Sequence, residues 1–183
     1  AGMTIVPLAG WTGSAADALN GTTVNPMQDY GPGATLTGPD KMSWKSSGCI
    51  AVDGVLYWVV ARHKAEPNLD KAYRQIANNA SIIKSADGGK TWTRSVDENI
   101  RHPMFPGSRF ATPYFITYGQ DGHEPVADKS DNYVYALSNN GFWDNGDDVI
   151  LGRVARAKIG HLDGKDWQFY TGGEGAQDAG WIP

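Results

Sequence analysis

The stretch Ser85-Ala86-Asp87-Gly88-Gly89-Lys90-Thr91-Trp92 decides how this chain is read. It follows an apolar run, Ala80-Ser81-Ile82-Ile83-Lys84, that has the composition of a strand. The Asp87 carboxylate can accept backbone N–H bonds inside a tight turn. Gly89 permits a positive φ, which a side chain would oppose. Trp92 can lay its ring beneath the hairpin that the turn closes. With Ser85 and Thr91 these residues fill every defined position of S-x-D-x-G-x-T-W, the Asp-box pattern. That pattern is a folding motif, so it specifies a hairpin and carries no chemistry of its own.

Upstream, Ser47 to Val52 reads as a strand, Asp53-Gly54 as a two-residue hairpin turn, and Val55 to Ala61 as the returning strand. Together with Ala80 to Ser85 and Thr91 to Arg94 they make a four-stranded antiparallel meander. The pattern then restarts: Phe110 to Thr117, Asn132 to Ser138, Val149 to Val154 and Asp166 to Tyr170 form a second set. Asp163-Gly164-Lys165-Asp166-Trp167 stands where a degenerate copy of the first turn belongs. Tandem four-stranded meanders with matching loops are the mark of propeller blades, with a bare β-sandwich as the alternative.

The expected fold is therefore all-β, a β-propeller of four-stranded antiparallel blades. Residues 1–43 are a loop-rich start, 44–100 a blade carrying the Asp-box, 101–172 a second blade, and 173–183 the start of the next. About two and a half blades cannot close a ring, since small propellers need about four. The remaining blades are expected from a missing segment or a partner chain.

Composition narrows the partners. A net charge of −4 with no basic stripe argues against nucleic acid. No run approaches the roughly 20 apolar residues of a membrane span. Cys49 is the only cysteine, so no intrachain disulfide forms, and its apolar setting reads as a buried small hydrophobe. Asn20-Gly21-Thr22 and Asn79-Ala80-Ser81 match the N-glycosylation pattern, which fits an extracellular, secreted protein.

Strand alternation puts the Asp-box on one side of its sheet and the long connections on the other: Arg62 to Asn79, Glu98 to Arg109 and Asn139 to Asp148. Long loops on a rigid scaffold usually carry binding. The densest is Asn139-Asn140-Gly141-Phe142-Trp143-Asp144-Asn145-Gly146-Asp147-Asp148, whose amides, carboxylates and aromatics suit a sugar ring. Trp143 packed against a neighbouring blade is the structural alternative. Asn140 and Trp143, with His63, Arg74 and Asn78 from the earlier loop and Arg109 and Tyr114 from the next inner strand, are the candidate substrate-binding residues. Arg62, Gln75, Asn79 and Tyr118 lie beside them. The four histidines have no ligand-like spacing. Asp144, Asp147 and Asp148 could recruit calcium but lack the spacing of an EF-hand loop, so no cofactor or metal is expected.

Three segments, Gly48 to Tyr57, Asn79 to Trp92 and Tyr133 to Arg156, resemble a family of secreted five-bladed propellers that includes endo-D-arabinanases. The resemblance spans roughly Trp44 to Gly172. It implies a five-bladed ring and an endo-acting glycoside hydrolase for furanose-containing polysaccharides, working with a pair of acids. No catalytic residue carries over from the family; within this chain the candidate is Asp147 or Asp148, with Asp144 third. One acid of the pair would come from the opening blade, which is expected to lie outside this chain. A non-catalytic glycan-binding propeller and a protein-interaction propeller remain the alternatives. A sialidase, which the Asp-box also suggests, would need an arginine triad and a Tyr/Glu pair that the sequence does not place.

Overall fold

A computed structural model describes residues 3–5, 22–24, 43–65, 75–93, 103–117, 132–141, 148–172 and 179–183. The described chain is all-β with antiparallel pairing and almost no helix. A short pair, β1 (Met3–Ile5) and β2 (Thr22–Val24), stands as its own sheet. The first large sheet takes β3 (Ser43–Val52), β4 (Val55–Ala65) and β5 (Gln75–Ser85) in sequence order. The second sheet runs β6 (Tyr114–Phe115), β7 (Tyr133–Asn139), β8 (Val149–Ala155), β9 (Trp167–Tyr170) and β10 (Trp181–Ile182), again with sequence neighbours paired.

Local chemistry explains the hairpins. Asp53 and Gly54 both have positive φ, 52° and 75°, the backbone that joins twisted strands through two residues. The turn after β5 is held by its own side chains. Asp87 Oδ1 accepts from Thr91 N at 2.9 Å, Asp87 Oδ2 from Thr91 Oγ1 at 2.7 Å, and Ser85 Oγ donates to Asp87 Oδ1 at 2.7 Å. Three bonds to the ionised form hold the Asp87 carboxyl well below the usual carboxylate range. Gly88 and Gly89 take φ of 72° and 90°. Trp92 Nε1 donates to the Gly89 carbonyl at 3.0 Å, and its ring meets Trp58 at 5.5 Å. Beyond it, Thr93 pairs with Lys84 through two backbone bonds.

Alternation along the strands sends Tyr57, Val59, Ala61, Ile50, Val52, Ala80 and Ile82 to one face. That face shares a single core with Val134, Ala136, Val154 and Trp167 of the second sheet. Phe105 and Phe110 fill the space between, in contact with the Trp167 ring at 5.3 and 5.8 Å. Burying each large side chain of this kind contributes about 1.5–3 kcal/mol. The opposite face of the first sheet carries a smaller cluster, Val60 and Ile83 with Trp58 and Trp92.

Two β-bulges join the sheets. The register slips between Ser46 and Cys49 on β3, and β5 gains a residue opposite the Val60–Arg62 step of β4. A bulge frees backbone groups from their own ladder. Here they turn to the second half of the chain: Gly48 N donates to the Pro113 carbonyl at 3.0 Å, and Asn79 N to the Gly107 carbonyl at 2.9 Å. Asn79, with φ of 55°, also accepts from Gly107 N through Oδ1. Phe105 N donates to the Ala80 carbonyl, and Ala77 N to that of Gly141. Outside the core, Arg156 grips Asp53 with two bonds of 2.8 and 3.0 Å.

The structure differs from the sequence reading in several places; residues 62–65 and 75–79, expected within a long loop, belong to β4 and β5, and of the strand expected from Thr91 only a bridge at Thr93 is described. Cys49 is exposed, because Ile50 and Val52 occupy the core face and alternation turns Cys49 to the other. Only Tyr114–Phe115 of the stretch from Phe110 to Thr117 is strand, since Phe110, Ala111, Thr112 and Pro113 are buried in succession and Pro113 has no N–H for a ladder. Asp166 belongs to a 3-10 turn, Gly164–Asp166, that precedes β9. Trp181 and Ile182, read as opening a further blade, pair with Tyr170 and Phe169 as the outermost strand of the second sheet.

Candidate functional site

The connections β4–β5 and β7–β8 leave from the same side of the molecule, and the backbone bond from Ala77 N to Gly141 O, 2.8 Å, ties them together. Register then fixes the neighbourhood. His63 stands opposite Ala77 and Arg62 opposite Asn78 in the β4–β5 ladder, so Gly141 is brought to the stretch of β5 that holds Ala77 and faces His63 in register.

Asn139 organises this rim. Its Oδ1 accepts from Thr112 Oγ1 at 2.8 Å and from Gly141 N at 3.0 Å, while Ser138 Oγ accepts from Thr112 N. Gly141 takes φ of 101°, and a Cβ there would collide with Ser108. The start of the loop is thus locked against the residues leading into β6. Asn140 Nδ2 reaches across to Asp148 Oδ2 at 3.2 Å, joining the loop's two ends. Asn140 Oδ1 is buried. Asp148 itself is exposed.

The other anticipated residues divide clearly. His63 and Arg62 are buried, at 3% and 1% exposure, and face no solvent. Burial, reinforced by the Lys45 charge, lowers the His63 pKa to about 4, with a hydrogen bond to Gln75 acting in the opposite direction. Its ring is neutral at pH 7. Lys45 Nζ also donates to Gln75 Oε1 at 2.6 Å. Asn78 is half-buried, while Tyr114 stands half out of the surface at 50% exposure. Arg109 is exposed and lines a cleft on the other side of loop 103–110. Asp144, Asp147, Trp143, Arg74, Tyr118 and Asn20 lie outside the described residues.

Two features escaped the sequence reading. The Asn139 clamp has a signal, Asn-Asn-Gly after a strand, which fits a turn as well as a ligand site, but nothing local names Thr112 as its partner. The cleft of about 1090 Å³ beside Arg109 had none, because its walls come from loop 103–110, the β8–β9 connection and the last residues. Among the described residues no group of three or more His, Cys, Asp or Glu side chains is placed to hold a metal ion, and no helix is long and apolar enough to cross a membrane. No family model matches the chain, and no curated protein matches it significantly.

Proposed function

We propose that this chain is part of a secreted β-propeller that binds and cleaves a furanose-containing polysaccharide at the rim holding Asn140 and Asp148. Consecutive antiparallel sheets support the propeller. Their first strands, β3 and β6, lie side by side through the Gly48–Pro113 bond, and one core joins the two sheets. In this reading the Ser85–Trp92 turn is an Asp-box, and it lies away from the site.

The observation that carries the functional part is the bond from Asn140 to the exposed Asp148 carboxylate. It holds a solvent-facing acid at a fixed point where the β7–β8 connection begins and ends. An amide and a carboxylate held together can take the hydroxyls of a sugar. Glycoside hydrolysis needs an acid pair; Asp148 is the proposed member from this rim, with Asp147 or Asp144 as the alternatives for that one role.

The experiment replaces Asp148 and Asp147 with Asn, singly and together, and follows polysaccharide binding and release of reducing ends. Loss of turnover with binding retained supports the hydrolase. Turnover that survives both changes removes these acids from catalysis. Binding without turnover in the unaltered chain leaves a glycan-binding propeller.

A further inference from the structure

We propose that the cleft between loop 103–110 and the outer strands of the second sheet is a binding site for an amphipathic organic anion. This goes beyond the glycan reading and uses a different surface.

The cleft holds about 1090 Å³, the size that encloses a small organic molecule. Its lining is apolar for a definite reason. Phe105, Phe110 and Phe169 form an edge-to-face group, with Phe110 at 5.1 Å from each of the other two rings. Gly152 underlies this group, since a Cβ there would strike the Phe110 ring. Ile150, Leu162 and Ile182 extend the apolar wall, and Ile182 is 52% exposed. A large aliphatic side chain left that open at the edge of a concavity offers surface to a ligand.

The charges at the opening choose the head group. Arg109 and Lys165 both line the cleft and both are exposed. Among the described side chains that line it, the one carboxylate, Asp163, caps its own turn by accepting from Lys165 N at 2.9 Å. Among the described side chains, two cations thus stand at the opening against one engaged carboxylate, over an aromatic floor. That arrangement suits a carboxylate, sulfate or phosphate carrying an alkyl chain or one aromatic ring. A neutral sugar would leave the floor poorly covered, and an organic cation would meet Arg109 and Lys165.

The test uses the full chain and two probes of equal nine-carbon tail, decanoate and nonyltrimethylammonium, both below the concentrations at which they form micelles. Calorimetry reads affinity, and methyl NMR of Ile150, Leu162 and Ile182 reads location. Decanoate should bind one-to-one, shift those methyls, and bind at least about tenfold more tightly than the cation, as expected for one charge-assisted contact. The double variant Arg109→Ala/Lys165→Ala should lose that discrimination while R109K keeps most of it. Octyl sulfate and octyl phosphate then separate the head groups. Equal affinity for the two probes, absence of saturable decanoate binding, or shifts confined to other residues would overturn the proposal.

Discussion

His63 gives the sharpest test of how the first sheet is packed. Its ring is 3% exposed at the end of β4 and titrates near 4 in the folded chain, against 6.5 when freed. The unfolded chain therefore binds this proton more readily than the folded one. The resulting stability is complete above pH 6.5 and is lost as the pH falls from 6.5 toward 4. A difference of about 2.5 pKa units corresponds to about 3 kcal/mol over that window, or roughly 1.4 kcal/mol per pH unit at its steepest. Urea unfolding between pH 4 and 7.5, compared for the parent and His63→Gln, isolates this contribution. The parent should lose stability toward acid more steeply than the variant, and the two curves should run parallel above pH 7. Imidazole NMR measures the pKa directly. A His63 resonance titrating near 6.5, or equal acid slopes in parent and variant, would show that the ring is hydrated and that the packing argument is wrong.

Three further outcomes follow from particular contacts. Asp87→Asn should lower the melting temperature. It should also flatten the acid limb below pH 4, because a depressed carboxyl stabilises above its unfolded pKa and ceases to as pH falls through its folded one; thermal scans at pH 2–5 read both effects. Gly48→Ala should destabilise by about 2 kcal/mol in urea, since its Cβ would sit 2.7 Å from the Pro113 carbonyl oxygen and 2.9 Å from Phe115 N, backbone atoms that cannot swing away. Arg156→Ala should cost less than about 1 kcal/mol and lose its effect in high salt, because the 2.8 Å pair with Asp53 is solvent-exposed; unfolding with and without added salt distinguishes this from loss of packing.

Local features were legible because their partners are local. Every bond that shapes the Ser85–Trp92 turn falls within eight residues, and Asp53-Gly54 needs only its own backbone freedom. What escaped depends on distant partners. The bulge at Ser47–Gly48 exists to meet Pro113, and the one at Asn79 to meet Gly107. A run such as Phe110-Ala111-Thr112-Pro113 reads as strand by composition, yet it is buried on all sides as filler between two sheets. No periodicity reports that, because the environment comes from chain far away in sequence. Cys49 shows the same limit on a smaller scale: an apolar run fixes that a strand forms, while register decides which of its residues face the core.

The candidate site was harder to read for a chemical reason. Asn, Asp, Ser and Thr satisfy the backbone as readily as they satisfy a ligand. At the rim, Asn139 is committed to Thr112 and Gly141, and Asn79 to Gly107. His63, anticipated as a ligand contact, is enclosed by the sheet. Among the anticipated and described residues, the exposed ones are Asp148, Arg109 and Tyr114. Substitutions at the enclosed positions test folding, whereas those at the exposed three test recognition. The two charged members also face different places, Asp148 the rim and Arg109 the cleft. On the two proposals made above, the Asp148 rim is the surface to test with a polyhydroxylated chain and the Arg109 cleft the one to test with an amphipathic anion.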